Sequence, residues 1–162
     1  MKTNKETILS FGFAMLLFTA AYGQNDLVER DTVNNAIHNR VVGLWDVQVT
    51  VRHCVTEAPL ATFKALHKYE LGGTGEVVPA TNPAGLSDHL AVWNFVGRDQ
   101  YNMSFKMFRF DASGINIGWA VVRNSVNITD GLYTGSGVAE FYDNSGNMVG
   151  ISCPSFEGIR FE

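Results

Sequence analysis

The chain has 162 residues, of which 46% are hydrophobic and 17% charged, and a formal charge of −4. This composition suits one globular domain with a sizeable core and makes a second domain unexpected. Net acidity without any cluster of lysines or arginines excludes partners whose phosphates must be neutralised, so neither nucleic acid nor an anionic lipid surface is expected as a partner.

The first segment reads as an export signal. Lys2 and Lys5 precede an apolar run over residues 8–21 that is short for a membrane span, and Ala21-Tyr22-Gly23 supplies a small-x-small cleavage pattern before Gln24. Removal of residues 1–23 as a signal peptide turns 12 bases and 16 acids into 10 and 15, and the formal charge moves from −4 to −5. No cysteine follows the cleavage point to carry a lipid, so a secreted or periplasmic product with no membrane insertion of the mature chain is expected. Residues 24–40 are a polar leader in which Val28, Val33 and Ile37 are spaced like one face of a short helix.

From Val41 the pattern becomes apolar-polar alternation punctuated by glycine and Asx turns, the mark of antiparallel strands. In the first strand Trp45, Val47, Val49 and Val51 share one face, while Asp46, Gln48, Thr50 and Arg52 share the other. In the second, Phe63, Ala65, His67, Tyr69 and Leu71 alternate with Lys64, Lys68 and Glu70 before Gly72-Gly73-Thr74-Gly75 turns the chain. A short third strand spans residues 76–78. Residues 79–87, with two prolines, are the one long loop, of the kind that lids a barrel mouth. Further strands are expected over residues 89–96, 100–110, 115–128, 132–142 and 148–161, separated by the turns Gly97-Arg98-Asp99, Asp111-Ala112-Ser113-Gly114, Asp130-Gly131 and Asp143-Asn144-Ser145-Gly146.

Eight sequential strands with short connections avoid free edges best by closing on themselves. The expected fold is therefore all-β: an eight-stranded antiparallel up-and-down β-barrel over residues 41–162, preceded by the short helical leader.

Gly43-Leu44-Trp45 at the opening of the first strand and Arg160 near the end of the last resemble the pairing found in lipocalins and related calycins. There a Gly-x-Trp begins the barrel and a late arginine packs over the indole ring. Two features depart from that family: Thr129-Asp130-Gly131-Leu132-Tyr133 spaces its tyrosine differently from the usual Thr-Asp-Tyr, and the usual helix after the last strand does not follow. The chain thus resembles a compact bacterial lipocalin-like outlier. The resemblance implies a barrel closed by Trp45 and Arg160 around a cavity for a small hydrophobic molecule.

The two cysteines test the closure independently. Antiparallel partners share a constant index sum, which is 205 for Trp45 with Arg160 and 207 for Cys54 with Cys153, so one register serves both pairs if Pro154 or a bulge absorbs a two-residue slip. A Cys54–Cys153 disulfide suits an exported protein, with a pair of buried thiols as the alternative.

Inward alternation places Phe63, His67, Tyr69, Trp93, Phe95, Tyr101, Met103, Phe105, Met107 and Trp119 where they either line an adaptable apolar pocket or fill the core. Gly135, Gly137 and Ala139 on one face leave space or mark a sharp bend. His67 and Tyr69 are the candidates for acid-base catalysis, but no carboxylate can be placed beside them and no activated nucleophile is evident. Gly135-Ser136-Gly137 is too short for a nucleophile elbow. Asp143-Asn144-Ser145-Gly146-Asn147 lacks the downstream glutamate of a calcium loop, and His38, His53, His67 and His89 have no paired spacing, so no metal site and no cofactor is expected.

The leading reading is an exported lipocalin-like protein that binds a small hydrophobic ligand. The alternatives are a barrel enzyme of cyclase or isomerase type using His67 or Tyr69 in the same cavity, and a solid-core module whose 79–89 loop contacts another protein.

Overall fold

The structure is a computed structural model that describes residues 38–82 and 84–161. The expected signal peptide and all but the last three residues of the leader, including its helix, lie outside the described residues.

Eight antiparallel strands form one closed barrel in sequence order: β1 (Gly43–Arg52), β2 (Pro59–Tyr69), β3 (Thr74–Pro79), β4 (His89–Gly97), β5 (Gln100–Phe110), β6 (Asn116–Thr129), β7 (Leu132–Tyr142) and β8 (Met148–Arg160). The expected strands are all present, with ends shifted by a few residues. β2 starts earlier, at Pro59, and stops at Tyr69, so Leu71 belongs to the turn and is exposed.

Closure is made by β1 against β8. Their register runs without a break from Trp45 opposite Arg160 to Arg52 opposite Cys153, and Pro154 sits regularly opposite Val51. The slip anticipated in the last strand is made elsewhere. β1 ends at Arg52, and residues 53–58 curl into a turn in which the His53 amide donates to the Ala58 carbonyl and His53 Nδ1 accepts from the amides of Val55 and Thr56. The turn lays Cys54 beside Cys153, with Cα atoms 5.0 Å apart, and the two are joined in a disulfide.

Side chains alternate across the wall. The inward set is almost wholly apolar, with Trp45, Val47, Tyr69, Tyr101, Met103, Val126 and Tyr133 fully buried. The outer set carries the exposed ion pairs Lys64–Asp46, Lys68–Glu70 and Arg123–Glu140. The outer wall also carries exposed apolar side chains, among them Leu66, Leu90, Val92, Phe108 and Ile151. Among the described residues no helix is long and apolar enough to cross a membrane.

The glycines of β7 serve the sheet's curvature. A Cβ on Gly135 would stand 2.7 Å from the Ser125 carbonyl oxygen, and one on Gly137 would overlap the Arg123 carbonyl and the Asn124 side chain. β6 and β7 can approach and coil this tightly only because those positions have no side chain.

The two ends of the barrel differ. At the end where residues 38–42 enter, the Arg160 guanidinium covers the Trp45 ring at 4.4 Å and donates to the carbonyls of Val42 and Arg40, while Trp45 Nε1 donates to the Val41 carbonyl. Tyr101, Phe95 and Trp93 pack edge to face beneath this cap, and Trp93 Nε1 donates to the Glu70 and Thr74 carbonyls. This end is filled. The other end is ringed by the connections 53–58, 80–88, 111–115 and 143–147. Two of them are matching Asx turns: Asp111 Oδ1 accepts from the amides of Ser113 and Ile115, and Asp143 Oδ1 from those of Ser145 and Asn147. The Asp143 segment is therefore a hydrogen-bonded turn whose carboxylate is already engaged.

Candidate functional site: a half-barrel cavity

The mouth half of the barrel is hollow. A cavity of about 160 Å³ lies between Val49 and Val51 of β1, Phe63, Ala65 and His67 of β2, Val77 of β3, His89 of β4, Phe105 and Met107 of β5, Val122 of β6, Ala139 and Phe141 of β7, and Ser152, Pro154 and Phe156 of β8. Leu86, from the long loop, completes the rim. The loop is tied down there: Leu86 bridges Arg109 of β5, the Ser87 amide donates to the Phe108 carbonyl, and the Phe110 amide donates to the Gly85 carbonyl. At the same rim the Arg109 guanidinium stands 5.1 Å from the Phe141 ring centroid.

Of the ten residues expected on a pocket wall, Phe63, His67, Phe105 and Met107 line the cavity. Tyr69, Tyr101 and Met103 point inward but are buried below it, and Trp93 and Phe95 are half-buried at the filled end. Trp119 is a correction. It lies on the outer wall, stacked on Tyr142 with centroids 5.6 Å apart and with the Lys106 ammonium 5.4 Å from its ring. The inward phase of β6 belongs to Gly118, Ala120 and Val122, whose small or branched side chains leave the room that Trp119 would have taken.

His67, His89 and Ser152 are the polar side chains of the lining, and His67 is fully buried at its inner end. Nδ1 lies 3.2 Å from both the Tyr69 and Tyr133 hydroxyls, which are 3.0 Å from each other, and the Tyr133 hydroxyl donates to Met103 Sδ at 3.3 Å. The donor directions within this cluster depend on the imidazole tautomer. With the Tyr133 proton on sulfur, the Tyr133 oxygen accepts from Tyr69, whose only proton is then used. In that arrangement neither phenol has a proton left for the imidazole and Nδ1 carries its own, whereas in the other tautomer a phenol donates to Nδ1. Nε2 is buried, with no hydrogen-bond partner and out of reach of a water-sized group.

A second buried imidazole, His89, lines the same cavity and also has an unpartnered Nε2. His67 is paired across the sheet with Val77, and Val77 with His89, so the three stand in one row around the wall. Both histidines are held uncharged. Burial, with a smaller contribution from the like charge of His89, pushes His67 down to about 3; burial, partly opposed by Asp88, pushes His89 down to about 4. Burial also pushes both Tyr69 and Tyr133 upward, so the cluster is neutral at physiological pH.

Chemically, this arrangement is an apolar chamber with two uncharged imidazoles buried in its wall. An imidazole whose conjugate acid titrates near 3 is a weak base at neutral pH, and phenols pushed above their ordinary range are weak acids. Among the described residues no group of three or more His, Cys, Asp or Glu side chains is placed to hold a metal ion. A second recess, at the filled end beside Arg40, Asp130 and Arg160, is polar and open, and its Arg160 guanidinium is already committed to backbone carbonyls.

Comparison with protein-family models, with curated proteins and with solved structures finds no match.

Proposed function

We propose that the protein is an exported, lipocalin-like binding protein that holds a small hydrophobic molecule in the mouth half of its barrel. The observation that carries this reading is the unfilled, apolar-lined cavity of about 160 Å³. An apolar cavity of about 150 Å³ in an unrelated protein stays dry and takes up benzene, which sets the ligand's scale at roughly one ring. The capped indole at the filled end supports the calycin-like relationship, and the Cys54–Cys153 disulfide supports a secreted or periplasmic location.

The experiment is solvent extraction and native mass spectrometry of the purified protein, together with ligand-observed NMR against toluene as a minimal apolar probe. A retained small molecule, or saturable toluene binding competed by it, is the expected result. A protein that retains nothing and leaves the toluene resonances unperturbed contradicts the reading.

A further inference from the structure

We propose that the Ser152 hydroxyl is the polar anchor of the cavity, and that the occupant is a ring-sized apolar molecule carrying one uncharged oxygen that pairs with Ser152 Oγ. This rests on the reading of the cavity as a ligand site and names the chemistry of its occupant.

The lining carries three polar side chains, His67, His89 and Ser152. Nε2 of each histidine is sealed within the wall, where no water-sized group touches it, and so is the side-chain amide of Asn124 on β6. The serine differs. It is 5% exposed, like Ala139 opposite it on β7, and its hydroxyl is not among the sealed atoms. That hydroxyl also makes no hydrogen bond to any described residue.

Its position accounts for this. Ser152 is the outermost of the three β8 residues in the lining, on the mouth side of Pro154 and Phe156. Its cross-strand neighbour on the cavity wall is Ala139, whose methyl group is too short to cover the hydroxyl and offers it no partner.

A hydroxyl rotates to donate or to accept, so it pairs with a carbonyl, ether or hydroxyl oxygen alike. Facing only hydrocarbon it goes unpaired, whereas one ligand oxygen placed against it completes a bond. No charged side chain lines the cavity, so an ionised group would lose its hydration with no counter-charge to replace it. The volume, about 160 Å³, holds one ring and little more. The ligand's oxygen then lies toward the mouth at β8. Its ring points toward Phe105 and Phe156, which pack against His67 at the inner end.

The test titrates toluene, phenol, benzaldehyde and benzoate into the full chain and into Ser152→Ala, by calorimetry or ligand-observed NMR. In the variant, phenol and benzaldehyde affinities should fall about fivefold relative to toluene, whose own affinity stays within about twofold. Ratios unchanged for both oxygen-bearing probes overturn the anchor and leave the apolar-cavity reading standing. Benzoate binding more tightly than benzaldehyde overturns the requirement for an uncharged oxygen and assigns the selection to Arg109 at the rim. Failure of all four probes to bind overturns both this proposal and the cavity reading.

Two further readouts separate an anchor from a structural serine. Because the hydroxyl has no partner to lose, Ser152→Ala should leave the urea midpoint of the ligand-free protein unchanged or raised. A lowered midpoint would show that the hydroxyl is already paired and overturns the proposal. The carbonyl stretch of bound benzaldehyde should lie at lower frequency in the parent than in Ser152→Ala, and equal frequencies overturn the contact.

Discussion

The guanidinium of Arg160 lies 4.4 Å above the indole of Trp45 while its two amino groups reach the carbonyls of Val42 and Arg40. One side chain from the end of β8 thus seals the barrel bottom and fixes the entering chain. The contact also explains Gly43, where any Cβ would collide with the same guanidinium and where φ is +132°.

Arg160→Ala should therefore cost about 1–2 kcal/mol in urea unfolding, since it removes a partly exposed cation–π contact and two charge-assisted hydrogen bonds. Arg160→Lys should recover less than half of that loss, because an ammonium cannot lie flat on the ring and span two carbonyls. A loss below about 0.5 kcal/mol for the alanine variant would show that the cap is dispensable.

The Cys54–Cys153 bridge closes a sequence separation of 99 residues and fastens the seam where the barrel closes. On the chain-entropy view, a loop of that length stabilises by about 4–5 kcal/mol. The Cys54→Ser/Cys153→Ser double variant should therefore unfold at much lower urea. Below its own transition it should still bind the cavity probe, because both cysteines lie outside the cavity lining. Equal midpoints for the oxidised protein and the double variant would refute this.

Stability should depend on pH through the two buried imidazoles. Unfolded, each takes up a proton near its ordinary value of 6.5; folded, His67 resists until about 3 and His89 until about 4. The unfolded state thus binds more protons throughout the window below 6.5, and stability falls as pH drops toward 4. The slope is at most about 1.4 kcal/mol per pH unit for each histidine. His67→Phe should show a shallower fall than the parent across this window. Parallel curves for the two proteins would mean that His67 titrates alike in both states.

Much of this architecture was legible as alternation, and the exceptions have physical causes. Index arithmetic located the β1–β8 seam because antiparallel pairing conserves the sum of residue numbers. Alternation also places His89 on the same inward face as Ala91, Trp93 and Phe95, so that cavity residue was within reach of the pattern. It failed at Trp119 because β6 is apolar on both faces, with Ile117, Trp119 and Val121 opposed to Ala120, Val122 and Val126. Period two then gives no sign of which face is inside, and the large ring went outward.

Height along the barrel was the other gap. Alternation assigns a face but no level, and the level depends on register and strand tilt. It therefore could not separate Phe63 and Met107, which line the cavity, from Tyr101 and Met103, which fill the core beneath it. The choice between a packed and a hollow interior resolves into one half of each.

Ala139 provides a direct test of the hollow half. It is buried, faces the cavity from β7, and sits between Val122 of β6 and Ser152 of β8. Ala139→Leu extends an apolar side chain into empty space rather than into packed neighbours, so it should leave stability unchanged or raise it by up to about 1 kcal/mol. The same substitution removes the room for a ring, and toluene affinity should fall at least about tenfold. Val138→Leu, one residue away on the outer wall, controls for the effect of a leucine in β7 and should change neither quantity measurably. If Ala139→Leu unfolds the protein while Val138→Leu does not, the cavity is tighter than its volume implies. If Ala139→Leu binds toluene as the parent does, the ligand does not enter the mouth half at all.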